Sequence, residues 1–253
     1  MRTFRLAGAL VGAALLAGCA GTGELADDPY AVNDPLEDVN RAIFEFNLAV
    51  DDYILVPTAK AYRTVVPEPG REAVRNFFAN LRTPITLLND VLQGETERAG
   101  HTFTRLWLNT TIGLGGLLDV ATYFGVPPAH TEDFGQTFAV WGVEDGPYLM
   151  LPLLGPANLR DAAGIAAGFF ADPFNIWMGN IDLEWVPYAR AVTEAVDARS
   201  RNIETFQTLR ETSIDYYATI RSLYQQRRAA DIRNEDSSTP SGNPISAGRP
   251  ATE

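Results

Sequence analysis

The chain has 253 residues, a formal net charge of −12 from 20 basic and 32 acidic side chains, two histidines and one cysteine. This acidic balance excludes a binder of nucleic-acid phosphates, which needs basic patches, and it excludes purely electrostatic adhesion to anionic lipid, so any membrane contact must be apolar. A lone cysteine forms no internal disulfide and completes no thiolate metal site.

Arg2 and Arg5 precede an apolar run of 11 residues, Leu6 to Leu16, and then come Ala17 and Gly18. The pattern is an export signal, since the run falls well short of the about 20 apolar residues of a spanning helix. A generic signal with an incidental cysteine is one reading. Leu16-Ala17-Gly18-Cys19 also resembles the lipobox of bacterial lipoproteins, which implies cleavage before Cys19, a diacylglyceryl thioether on its sulfur and an acylated new amino terminus. Three acyl chains, at about 0.8 kcal/mol per buried methylene, hold a protein in a membrane where a single chain does not. In such lipoproteins an aspartate after the cysteine retains the protein at the inner membrane, and Ala20 here implies the outer one. Residues 1–18 are read as the cleaved signal and 19–35, polar and acidic, as the acylated tether.

From Leu36 the pattern turns helical. Leu36, Val39, Ile43, Phe46 and Val50 form one stripe, Asp38, Arg41, Glu45 and Asp52 another, and Phe44 with Leu48 adds a second apolar edge. A helix with two apolar faces has two things to bury against, either two protein layers or one of protein and one of lipid. Val74, Phe77, Phe78, Leu81, Ile85, Leu88 and Leu92 continue the helical spacing, with Thr83-Pro84 expected as the cap and first position of a fresh helix and Gly94 as its stop. A helix over about 95–109 follows, then short pieces punctuated by Gly113, Gly115, Gly116, Pro127 and Pro128.

Charge thins in this middle region: residues 24–105 carry 22 charged side chains and 182–253 carry 20, while 106–181 carry only 8. A buried core explains that in a soluble protein; on a tethered chain an apolar middle is also what lipid would cover. Pro147, Pro152, Pro156 and Pro173 break the stretch, so no segment of it spans a bilayer as a helix. Broken apolar helices persist at membrane depth only where protein or a watery cavity covers their ends. Tyr148 to Leu154 is the best strand signal, equally readable as an extended hairpin loop. Beyond Trp185, mixed charge alternates with Val192, Val196, Ile203, Phe206, Leu209, Tyr217, Ile220 and Tyr224, and 234–253, rich in Ser, Pro and Gly, reads as a disordered tail. The expected fold is all-α, a single domain over 36–233.

Catalytic candidates fail in turn. His101 and His130 have no second histidine or cysteine at a ligand spacing, every serine lies at Ser200 or later without a nucleophile-elbow context, and the cysteine is used by lipid. Gly113-Leu-Gly-Gly-Leu-Leu-Asp119 lacks the third glycine of a dinucleotide loop, having Leu118 there, and has no βαβ setting. Gly113, Gly115 and Gly116 are therefore read as close helix packing, and Asp119 as a helix cap or the lining of a polar cavity. No catalytic residue, metal or cofactor is expected. In the loop from Trp141 to Gly155, Gly142 and Gly146 permit backbone angles closed to other residues and Pro147 fixes the turn, while Tyr148, Leu149, Met150, Leu151, Leu153 and Leu154 are too apolar for an exposed loop. The segment is a candidate lipid path or gate, or else a rigid hairpin that fills the core.

DPLEDVNRAIFEFN (34–47), RNFFANLRTPITLLNDVLQGE (75–95), RLWLNTTIGLGGLLDVA (105–121), DFGQTFAVWGVEDGPYLMLPLLGPANLRDAAG (133–164) and RSLYQQR (221–227) resemble the MlaA family, also called VacJ lipoproteins. The resemblance covers roughly residues 34–230. It implies an outer-membrane lipoprotein, a ring of broken amphipathic helices lying in the periplasmic leaflet around an amphipathic channel. It further implies association with a trimeric porin, removal of mislocalised phospholipid from the outer leaflet and its delivery to a periplasmic phospholipid-carrier protein. The family has more glycine between Trp141 and Gly146; here Glu144 and Asp145 stand in that loop.

Overall fold

The computed structural model describes residues 33–235, so the signal, Cys19, most of the tether and all but the first residues of the tail lie outside the described residues. The chain enters α1 (Glu37–Val50), passes through a π-helical stretch (Asp51–Leu55) and continues as α2 (Val56–Val65). Val66 is extended, as the residue before a proline prefers, and Pro67 leads into α3 (Glu68–Gln93). Gly94 ends α3 in the left-handed conformation at φ 80°, and α4 (Thr96–Thr111) runs back along it. Short α5 (Val120–Tyr123) and α6 (Phe134–Val140) lead to a hairpin of β1 (Tyr148–Leu151) and β2 (Gly155–Asn158). Five helices complete the domain: α7 (Leu159–Ala171), α8 (Pro173–Asn180), α9 (Val186–Arg201), α10 (Ile203–Thr212) and α11 (Tyr216–Ile232). The fold is all-α apart from that one hairpin.

One expected boundary is absent. Thr83-Pro84 starts no new helix, because α3 runs unbroken through it for 26 residues. An interior proline costs about 3 kcal/mol, and here α3 is gripped by α4, α6, α8 and α9 along its length. Thr83 turns its hydroxyl inward, donating to the Ala79 carbonyl at 3.0 Å instead of capping. The strand signal resolves into an antiparallel pair, with Tyr148 opposite Asn158 and Leu151 opposite Gly155.

The packing partners form a closed circuit. α2 lies on α9, α9 on α3, α3 on α6, α6 on α7 and α11, and both of these on β2; β1 then rests on α1, which leads back to α2. The apolar core sits where this circuit closes, with Phe44, Tyr148, Met150 and Tyr217 buried together and Ile43, Leu48, Ile220 and Tyr224 packed around them.

Two asparagines of α1 hold the hairpin to it. Asn40 donates to the Tyr148 carbonyl at 3.1 Å and accepts from the Met150 amide at 2.8 Å. Asn47 donates to the Leu151 carbonyl at 3.0 Å and accepts from the Leu153 amide at 2.8 Å. The spacings match: seven helical residues rise about 10.5 Å, and the three strand residues between contacts rise about 10 Å. The open edge of β1 is thereby satisfied by side chains instead of a third strand. Replacing Asn40 with alanine leaves a buried amide and carbonyl unpaired, at about 1–3 kcal/mol each. Thermal melts of Asn40→Ala are expected to fall well below wild type, and those of Asn47→Ala by less, because Leu153 is exposed.

Candidate functional site

Outside the small apolar core, burial is weighted toward polar side chains. The largest fully buried side chains are Asn40, Asn89, Asp90, Thr137 and Ser200, all polar. By contrast, all four tryptophans are more than half exposed: Trp107 at 55%, Trp141 at 57%, Trp177 at 58% and Trp185 at 65%. Tryptophan is among the more buried residues of soluble proteins and is enriched at the headgroup level of membranes. The exposed apolar residues run together. On α7 to α9 they include Phe169, Phe170, Ile176, Trp177, Tyr188 and Val192; on α4 and the loop after it, Phe103, Trp107, Ile112, Leu114, Leu117 and Leu118. The two apolar faces of α1 are likewise sorted, Phe44 inward and Leu36, Val39 and Phe46 outward. Among the described residues no helix is long and apolar enough to cross a membrane.

The interior is stitched by charge-assisted networks. Asp133 caps α6 through the Gln136 amide and takes both terminal nitrogens of Arg228 at 2.7 Å. Arg228 also reaches Asp161 of α7, which accepts from the Tyr224 hydroxyl. Burial pushes the Asp133 carboxyl up, but the bonds and charge of Arg228 outweigh it and hold it below its usual range. Asp119 caps α5 and receives the buried Arg105 on both oxygens at 2.7 Å, with Asn109 and Thr122 adding bonds. Here too burial is the largest influence, and Thr122, Asn109 and Arg105 together leave the carboxyl lowered.

A third network unites residues far apart in the chain. Asp90, His130 and Glu132 bring possible ligand atoms within 4.8 Å of one another. Their oxygens already have protein donors: Thr102 on Asp90 at 2.6 Å, Arg98 on Glu132 at 2.6 Å and Gln93 on Glu132 at 3.0 Å. His130 Nε2 lies 2.9 Å from Asp90. Burial raises the Glu132 carboxyl, more than Gln93 and Arg98 lower it. Sequence spacing showed no second histidine or cysteine for His130, and the groups it meets come from Asp90 of α3 and Thr102 of α4, distant in the chain.

The candidate gate residues do not form one surface. Trp141 exposes its ring and donates Nε1 to the Leu92 carbonyl at 3.1 Å. Gly142 and Gly146 hold φ of 89° and 67°, so each uses the freedom only glycine has at no cost. Pro147, Leu149 and Leu151 are half-buried, Tyr148 is in the core, and Leu153 and Leu154 are exposed at the tip. In the glycine loop, a Cβ on Gly116 would stand 2.4 Å from Asn80, and one on Gly113 would stand 2.4 Å from the Leu118 carbonyl. Gly115, at φ 72°, has open space around it. Asn40, Asn47 and Arg105 were missed as candidates, although two asparagines seven apart on a helix share one face and could have been marked.

Helices in a closed circuit, with polar groups the largest fully buried side chains and many large apolar ones exposed, give the chain an apolar outer surface, and among the described residues no helix is long and apolar enough to cross a membrane. The chain matches the MlaA lipoprotein family over residues 32–231 and belongs to it. It is similar to the intermembrane phospholipid transport system lipoprotein MlaA of Escherichia coli, 37% identical over 95% of this chain and 93% of that one. The lipoprotein of the same description from Haemophilus influenzae is 33% identical over 89% of each. A solved chain, described in work on the structural basis for maintenance of bacterial outer membrane lipid asymmetry, superimposes with a TM-score of 0.71. It is 36% identical and covers 79% of this chain and 98% of its own.

The depressed carboxyls set a pH dependence. Asp133 and Asp119 are lowered, and the hydrogen bonds of Arg41, with help from the Ala218 amide, take Asp215 down to about 2. A folded pKa below the unfolded value contributes stability that is complete above about pH 4 and is lost as pH falls through the folded value. Melting temperatures are expected to drop chiefly between pH 4 and pH 2, and Asp133→Asn, which keeps its capping oxygen, should show a shallower acid drop.

Proposed function

We propose that this chain is an outer-membrane lipoprotein that removes phospholipid from the outer leaflet and passes it to a periplasmic phospholipid-carrier protein, maintaining lipid asymmetry. The observation that carries this reading is the exposure of all four tryptophans and many large apolar side chains on a closed circuit of helices whose largest fully buried side chains are polar. The names of the relatives support it. Drawing two acyl chains of about 16 carbons into water costs on the order of 20 kcal/mol or more at 0.8 kcal/mol per methylene, and drawing a headgroup through hydrocarbon is also costly. An amphipathic channel through the ring avoids both, and needs no bond to be made or broken. A trimeric porin is the proposed scaffold in the membrane, and Cys19 the acylated anchor on the periplasmic leaflet.

The hairpin enters this reading in a restricted form. With Tyr148 and Met150 in the core and β1 held by Asn40 and Asn47, the strands match the rigid-hairpin reading. Gating is therefore assigned to the glycine-bounded turn 142–146 and to the tip, where Leu153 and Leu154 face outward. Leu153 has φ of 64°, which aspartate tolerates better than leucine. Leu153→Asp is expected to keep the protein level and lower phospholipid flux; a fall in flux only in proportion to folded protein would remove the gate. Cys19→Ala is expected to lose palmitate labelling and to fail to complement loss of the wild type, and continued labelling would reject the anchor.

A further inference from the structure

An open groove of about 420 Å³ lies between the run from α1 through the π-helical stretch into α2 on one side and α10 with the start of α11 on the other. Small-molecule sites span about 300–1,000 Å³, so the groove has the size of one. Its apolar lining comes from Leu48, Val56, Ile203, Phe206 and Tyr216.

Four charged side chains of the lining are committed to one another. Asp51 and Asp52 are consecutive in the chain, yet they reach different helices. Asp51 takes Arg199 of α9 at 2.7 and 2.9 Å, and Asp52 takes Arg210 of α10 on both oxygens at 2.9 Å. Arg199 also lies over the Phe206 ring, 5.1 Å from its centroid. These pairs tie α9 and α10 to the π-helical stretch and cancel in charge.

Two charged groups of the lining have no such partner. Lys60 is exposed on α2, and among the described residues it is the one basic side chain without an ion pair, because every described arginine has a carboxylate partner. Glu211 is exposed on α10 and accepts from the neutral Gln207 at 2.9 Å. The groove therefore offers an accessible cation and an accessible anion beside an apolar lining, with no net charge. Tyr53 and Ile54, which follow Asp52 in the chain, are large exposed side chains that carry apolar surface beyond it. An ammonium on a lysine stem is a compact charge with three rotatable donors, a form that suits a phosphate.

Resting on the transport reading above, we propose that this groove holds a zwitterionic phospholipid of the phosphoethanolamine class. Lys60 meets the phosphate, Glu211 meets the ammonium, and the first part of the acyl chains lies along Leu48, Val56, Ile203 and Phe206. A phosphoglycerol headgroup has the phosphate without the cation, leaves Glu211 unmatched and is held less well.

The test uses the full acylated protein in nanodiscs holding equal fractions of phosphatidylethanolamine and phosphatidylglycerol with identical chains, and bound lipid is counted by native mass spectrometry. Wild type is expected to retain phosphatidylethanolamine at least three-fold over phosphatidylglycerol. Lys60→Gln should cut phospholipid retention at least three-fold and Lys60→Arg restore it, whereas Glu211→Gln should abolish the preference. Both residues are exposed, so the melting temperatures of these variants should match wild type. Arg227→Gln removes the same charge from an exposed position on α11 and is expected to change neither retention nor preference. An unchanged count in Lys60→Gln, an equal loss in Arg227→Gln, an unchanged preference in Glu211→Gln, or equal retention of both lipids by wild type would overturn the site and leave the transport reading standing. Retention of no phospholipid by wild type overturns both.

Discussion

Hydrocarbon offers no hydrogen bonds, and that constraint organises this molecule. A helix end leaves several backbone groups unpaired, and short helices multiply such ends. Each break must therefore be closed by the chain itself. Asp119, Asp133, Asn158, Asp172 and Asp215 each accept from an amide in the first turn of the helix that follows. Asn40 and Asn47 do the same for the strand edge. The polar residues of the interior are thus the reason that broken apolar helices can face outward at all.

The second consequence is the choice of cation. The chain has 19 arginines and a single lysine, Lys60. Planar guanidinium groups bond carboxylates in pairs, which suits links that stay put between elements. Arg199 on Asp51 joins α9 to the π-helical stretch, Arg221 on Asp34 joins α11 to the entry of α1, and Arg228 on Asp133 and Asp161 joins α11 to α6 and α7. The Arg221–Asp34 link borders the apolar core, where Asp34 also accepts from the Tyr217 hydroxyl at 2.6 Å, and the Arg199 and Arg228 links tie α9, α6 and α7 into the same circuit.

A fold of this kind separates two tasks. Large apolar side chains stand outside, with no spanning helix among the described residues, and hydrogen-bonded polar side chains are buried, which in the proposed reading serve lipid contact and headgroup passage respectively. Small glycine-dependent turns let the two come close together: at Gly116 the backbone of an apolar loop rests on the side chain of Asn80.

The sequence alone determined the parts that depend on local pattern. The helical periodicity of 36–50 and the stop at Gly94 follow from spacing and left-handed glycine and are seen; of Tyr148 to Leu154 the first four residues form the strand and the rest the turn, and Asp119 takes the capping role of the two open to it. The scarcity of charge over 106–181 left open a buried core or a face for lipid, and many of its large apolar side chains are exposed. Tertiary structure decided what local pattern cannot carry. Thr83-Pro84 looks like a helix start, yet packing on four sides keeps α3 whole, because the sum of those contacts exceeds the local cost of proline. Which apolar face of α1 turned inward was settled by where Tyr148 and Tyr217 arrive, more than a hundred residues later. His130 beside Asp90 is likewise a product of closing the circuit, since hydrogen-bond satisfaction is a property of neighbours in space and not of neighbours in the chain.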